Sequence, residues 1–278
     1  MFYIIPYFSL NLVDFFGYQI EIWKIFWLLG RVAFLAVFYL EAKRLNLNKN
    51  TVLIIFLINL FLINFFERLL FFLAGHYLHK NDFSRFFADA INVFGTGTAG
   101  RVFLGTIIGV FLAIIIGVLI SGERKKIFYY LDIGAIALIA GTFFYRIGNF
   151  LIHSHIGKVT TVPWGIVSNS QVRHDISLYE MINLFIVFTI GWNLRKKIKA
   201  PGLIFALTLG LSSLIRFFTD FLRSDDLPTS NFHFENGLTL NQIFYFLIFI
   251  FCLITFKILA RKGIVEKKAS HNEITPQS

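Results

Sequence analysis

The chain has 278 residues, of which 56% are hydrophobic and only 15% charged, and its mean hydropathy is +0.70. That composition excludes a soluble globular domain and a disordered segment, and it identifies a polytopic membrane protein. The single cysteine, Cys252, excludes a disulfide framework and a thiolate zinc cluster. The net charge of +10 takes its meaning from where the basic residues fall, so no nucleic-acid partner is inferred from it.

In chain order, residues 1–18 have neither a basic leader nor a small-residue cleavage site, so they read as an external N-terminal arm lying along the interface and not as a signal peptide. A span needs about 20 mostly apolar residues. Apolar runs predict seven of them, near 19–40, 52–75, 103–120, 128–150, 178–194, 202–222 and 238–260. Together they give a membrane domain over 19–262, with an external head loop near 151–177 and a polar, frayed tail over 263–278. The fold class expected is therefore all-α, an integral membrane protein of about seven transmembrane helices.

The basic residues set the orientation. Fourteen of them lie in four clusters after alternate spans, at Lys43 to Lys49, Arg124 to Lys126, Arg195 to Lys199 and Arg261 to Lys268. The intervening segments hold six: Lys80, Arg85, Arg101, Lys158, Arg173 and Arg223. By the positive-inside rule the N-terminus lies outside and the C-terminus in the cytoplasm.

Ionisable groups inside spans are costly and mark functional candidates. Here they are Arg31, Glu67, Arg68, Asp132, Arg146, Glu180, Arg216 and Asp220, most of them in the outer halves of their helices. Adjacent Glu67 and Arg68 point in different directions and need partners on other helices, whereas Arg216 and Asp220, four apart, share a face with Arg223. Arg216 and Asp220 could simply neutralise each other. Several guanidiniums near one level, from Arg68, Arg146, Arg216 and Arg223, suit an anionic head group better, because a guanidinium fork binds phosphate bidentately. Arg31 reads as a snorkelling or paired structural arginine, with Asp132 or Glu67 as its counter-ion. Gly95, Gly97 and Gly100 suggest a phosphate loop, but no Lys-Ser/Thr follows, so a flexible external loop is expected. His76, His79 and His233 read as surface residues of external loops.

At the motif level, Arg146-Ile147-Gly148-Asn149-Phe150, Val162-Pro163-Trp164-Gly165, Arg173-His174 and Leu178-Tyr179-Glu180 follow one another in order. Then come Pro201-Gly202, Arg216, Asp220 to Arg223, Gly237-Leu238-Thr239 and Gln242. This series resembles the prolipoprotein diacylglyceryl transferases of the bacterial inner membrane over nearly the whole chain, and Arg68 and Asp132 look like further family positions. The resemblance implies a multi-pass inner-membrane transferase that moves diacylglycerol from phosphatidylglycerol to the lipobox cysteine of an exported prolipoprotein. Its partners are then that phospholipid and the prolipoprotein signal region, and it needs no metal and no cofactor. Arg146 and Arg216 would stabilise charge on the leaving phosphate, with Asn149 as companion of Arg146 and Asp220 where the family has a glutamate. Arg68, His174, Glu180 and Arg223 complete the expected binding residues.

The sequence departs from the family pattern at several positions. Leu104 stands where the family has the histidine proposed as base, Ser154 replaces a glutamate, and Trp23 and Ser212 replace tyrosines. Asp175-Ile176-Ser177 replaces Pro-Ser-Gln. A thiol nucleophile needs a proton acceptor. His153 and His155, flanking Ser154, are candidates for it, or else are solvated loop residues. A His-x-His metal site finds no third ligand. Two further readings stay open: a family paralogue acting on another phospholipid or acceptor, and a catalytically silent phospholipid-binding membrane protein.

Overall fold

The computed structural model describes residues 10–15, 18–78, 103–168, 170–224 and 238–274. The glycine-rich stretch 95–100, His79 and His233 lie outside them. Among the described residues seven helices are long and apolar enough to cross a membrane. They are α1 (Ile22–Arg44), α2 (Lys49–Leu78), α3 (Phe103–Ile120), α4 (Ile127–Leu151), α5 (Ile176–Leu194), α6 (Leu203–Thr219) and α7 (Leu240–Ile274). The protein is thus a helical, multi-pass membrane protein with the expected number of spans. Two expectations change: α2 runs on through His76, and the polar tail continues the backbone helix of α7 to Ile274. Lys, Glu and Ala residues beyond Lys262 have the helix propensity to extend it.

Two small antiparallel sheets accompany the helices. Near the N-terminus, β1 (Leu12–Phe15) pairs antiparallel with β2 (Tyr18–Glu21). The head loop is a three-stranded sheet, β3 (Ile156–Val159), β4 (Ile166–Ser168) and β5 (Gln171–Asp175), in the order β3-β5-β4.

Packing divides the chain into two compact units, residues 38–134 and residues 1–37 with 135–278, the boundary falling within α1 and within α4. In the first of these α2 and α3 run antiparallel with their backbones in close approach. A Cβ on Gly105 would lie 2.4 Å from the Phe66 carbonyl oxygen, and one on Gly109 2.8 Å from Ile63 Cα. Small residues let membrane helices meet this closely, where dispersion and not hydrophobic exclusion holds them together. The close contact brings Thr106 Oγ1 to Glu67, a 2.6 Å hydrogen bond between helices, which gives the intramembrane carboxylate its partner. α3 ends at Gly122, whose φ of +72° closes the helix with Gly122 N bonded to Leu119 O and Glu123 N to Val118 O. Those paired bonds form the Schellman arrangement that a left-handed glycine permits.

In the other unit α6 packs against both α5 and α7. Ile139 of α4 meets Leu184 and Val187 of α5, with Leu211 and Ile215 of α6 alongside. The first part of α1 approaches α4 through a glycine pair, since a Cβ on Gly30 would fall 2.5 Å from Gly141 O. On α7, Leu247, Phe251, Ile254 and Ile258 recur at helical spacing and are all exposed, the stripe that lipid would cover. The Arg31 guanidinium lies 4.2 Å from the Trp27 ring centroid, a cation–π contact.

Candidate active site

The site lies at one end of the larger unit, where α4 and α6 finish and α5 and α7 begin. α4 ends by a left-handed residue, His153, with φ of +47°. His153 N bonds to Phe150 O and Ser154 N to Asn149 O, both at 3.1 Å, which turns the chain out of the helix into β3. A non-glycine residue costs something in that conformation. The side chain offsets it: His153 Nδ1 lies 2.7 Å from Asp175 Oδ2, both groups buried. Asp175 is also the N-cap of α5, accepting from Ser177 N at 2.9 Å and Leu178 N at 3.3 Å. One carboxylate thus joins the end of α4 to the start of α5.

α5 carries Glu180 five residues beyond that cap. Its Oε2 meets Arg146 Nε at 2.7 Å, its Oε1 meets Arg216 Nη2 at 2.7 Å, and Arg223 Nη2 lies 3.6 Å from the same Oε1. Arg146, Glu180 and Arg216 are all buried. Arg223 in turn donates from Nε to Asp220 Oδ1 at 2.9 Å. Asp220 thus pairs with Arg223, while Glu180 pairs with Arg146 and Arg216. Asp220 sits in the 3-10 turn after α6, and that turn aims its carboxylate at Arg223, three residues on.

The other oxygen of Asp220 accepts from Thr239 Oγ1 at 2.5 Å. Thr239 caps α7: Gln242 N donates to Thr239 Oγ1 at 3.1 Å and Thr239 N to Gln242 Oε1 at 2.7 Å. That reciprocal pair is a capping box, legible in the Thr-x-x-Gln spacing. One turn along, the Tyr245 ring lies 4.7 Å from the Arg216 guanidinium, a contact with no signal in the sequence.

Asn149, one turn after Arg146, is buried, and its Nδ2 has no hydrogen-bond partner among the described residues. A buried amide donor is costly to leave unmade, and this one remains available. His174 is placed elsewhere: its Nδ1 is 2.7 Å from Tyr179 OH, which also accepts from Trp164 Nε1 at 2.9 Å. Burial lowers the His174 pKa, which favours the neutral ring. Arg68 is buried on α2, in the smaller unit. Leu104 is buried on α3, Ser212 on α6 receives Asn183 Nδ2 at its carbonyl, and Ser154 closes α4.

Three guanidiniums around one carboxylate, with a second carboxylate behind, leave a single positive charge. Comparison with known proteins decides the family: a family model described as prolipoprotein diacylglyceryl transferase matches residues 11–258. The chain belongs to the prolipoprotein diacylglyceryl transferase family. Relatives named phosphatidylglycerol–prolipoprotein diacylglyceryl transferase occur in Campylobacter hominis, 32% identical over 64% of this chain and 62% of the relative, and in Wolinella succinogenes, 32% identical over 60% of each. A Campylobacter lari relative of the same name is 33% identical over 55% of this chain and 56% of its own length. The chain spans about three-fifths of the length of the relatives it matches. The family resemblance read from the sequence is thereby upheld.

Replacing Asp175 by Ala tests the join between α4 and α5. Loss of a cap costs about 0.5–2 kcal/mol, and the buried His153 ring loses its partner as well. The Asp175→Ala protein should unfold at lower temperature in detergent than Asp175→Asn, which keeps an acceptor. Equal thermal unfolding of the two variants would show that the cap carries no stability.

Proposed function

We propose that the protein transfers the diacylglyceryl group of phosphatidylglycerol to the lipobox cysteine of an exported prolipoprotein in the bacterial inner membrane. The observation that carries this reading is the convergence of Arg146, Arg216 and Arg223 on Glu180. In the reaction the cysteine thiolate attacks the glyceryl carbon next to the phosphate. The C–O bond breaks with its electrons on oxygen, and glycerol phosphate leaves. Charge grows on the phosphate oxygens, where preorganised guanidiniums stabilise it, while the Asn149 amide supplies a further donor. The relatives' shared name supplies the lipid donor and the acceptor class.

The test is mass spectrometry of a lipobox peptide incubated with purified protein and phosphatidylglycerol. A diacylglyceryl adduct on the cysteine is expected. Leu104 at the family's base position favours one other reading, a silent phospholipid-binding protein, and that reading expects phosphatidylglycerol binding with no adduct.

The proposed orientation sets residues 1–18 and the 151–177 head outside and the 263–278 tail in the cytoplasm. It rests on the basic clusters, and it puts the site at the outer face, where an exported acceptor arrives. Reporter fusions check it: a periplasm-dependent reporter should be active after His79 and inactive after Lys262. The reverse pattern would overturn the orientation.

A further inference from the structure

Three imidazoles lie in the head segment, and the geometry sorts them. His153 is committed to Asp175 and His174 to Tyr179. No hydrogen bond to the His155 ring occurs among the described residues, and the residue is half-buried. Its backbone is pinned on two sides. His155 O accepts from Ile176 N at 3.0 Å, Ile156 pairs with Asp175, and Gly157 bridges to Arg223. That bridge is tight, since a Cβ on Gly157 would fall 2.5 Å from Leu222 O. The backbone just after His155 is therefore held against Arg223, and Arg146 of α4, Arg216 of α6, Arg223 after it and Glu180 of α5 all act on the imidazole electrostatically.

We propose that His155 accepts the thiol proton in the transfer reaction, and that it does so only when the phospholipid phosphate occupies the cluster. This rests on the transferase reading above. The charges support it. The empty cluster carries one surplus positive charge, from three guanidiniums against Glu180 and Asp220. A phosphodiester monoanion cancels that surplus. Breaking the C–O bond then leaves a phosphomonoester dianion, and the cluster stays neutral if the proton released by the thiol rests on His155. The proton thus moves in step with the negative charge, from sulfur to imidazole as the electron pair moves from carbon to phosphate oxygen. The product leaves as the dianion, with the proton passing to water, or as the monoanion after taking that proton.

The same arrangement makes the base conditional. Without a bound anion, burial and the Arg146, Arg223 and Arg216 guanidiniums push the His155 pKa down to about 3, against the opposing pull of Glu180. The ring is then neutral and a poor proton acceptor. A phosphate bound among the arginines screens them and raises its proton affinity, so thiol activation waits for the lipid.

The experiment uses full-length protein in phosphatidylglycerol nanodiscs with a lipobox peptide. His155→Gln should slow transfer about a hundred-fold, the scale of a removed general base, while phosphatidylglycerol binding changes less than about two-fold. Added imidazole should restore part of the rate to His155→Ala, and a merely structural defect would not respond. In the unaltered protein, the 13C signal of the His155 ring should titrate at higher pH in phosphatidylglycerol than in phosphatidylcholine nanodiscs. Normal turnover by His155→Gln, or an unchanged His155 titration, would overturn the inference alone. No adduct from the unaltered protein would remove the transferase reading, and this inference with it.

Discussion

Arg216→Ala should abolish diacylglyceryl transfer, and Arg216→Lys should restore only a small part of it. Arg216 is buried between Glu180 and the face of Tyr245, so its charge acts with little screening by water. Removing one preorganised donor at a developing oxyanion costs roughly 10²–10³ in rate. A lysine keeps the charge but loses the planar fork that can hold Glu180 and a phosphate oxygen at once. Arg146→Ala should behave alike, because its Nε holds the other oxygen of the same carboxylate. Steady-state transfer to a lipobox peptide, with thermal unfolding as control, reads the effect. Full activity in Arg216→Lys would show that the fork is not needed and that a point charge suffices.

The second large effect is expected at Glu180. Its carboxylate is the shared counter-ion of Arg146 and Arg216, so Glu180→Gln leaves two buried guanidiniums without it. Breaking a buried ion pair from one side typically costs about 3–5 kcal/mol. Stability should fall sharply in zwitterionic detergent. An anionic phospholipid should stabilise Glu180→Gln more than it stabilises the unaltered protein, because a phosphate supplies the missing charge and binding to the folded state adds to stability. Thermal unfolding with phosphatidylglycerol against phosphatidylcholine measures the difference. Equal stabilisation of both proteins would mean that the lipid phosphate binds away from Glu180.

The seven spans were legible because apolar runs of the required length recur along the chain, and the structure returns each within a few residues. The head sheet was not legible. Its strands are only three to five residues long and pair across turns, so no alternation builds up against the apolar background. The arginines and Glu180 were found by their cost in a membrane span, but their pairing was not: Glu180 serves Arg146 and Arg216 from separate helices, a relation no local spacing encodes. His153 illustrates the same limit. As one of two histidines beside Ser154 it looked as suited to proton transfer as His155, and only Asp175, 22 residues away, shows it to be a structural hinge. The Thr239–Gln242 capping box carried a readable signature, and it matters because its threonine also holds Asp220.

The central claim is that the Arg146, Arg216 and Arg223 cluster binds a phospholipid phosphate. An experimental structure of the protein with phosphatidylglycerol tests it most directly. The account predicts the phosphate within about 3 Å of guanidinium nitrogens from both Arg146 and Arg216, the distance of a charge-assisted hydrogen bond. A head group bound elsewhere, with Glu180 still pairing both arginines undisturbed, would contradict it.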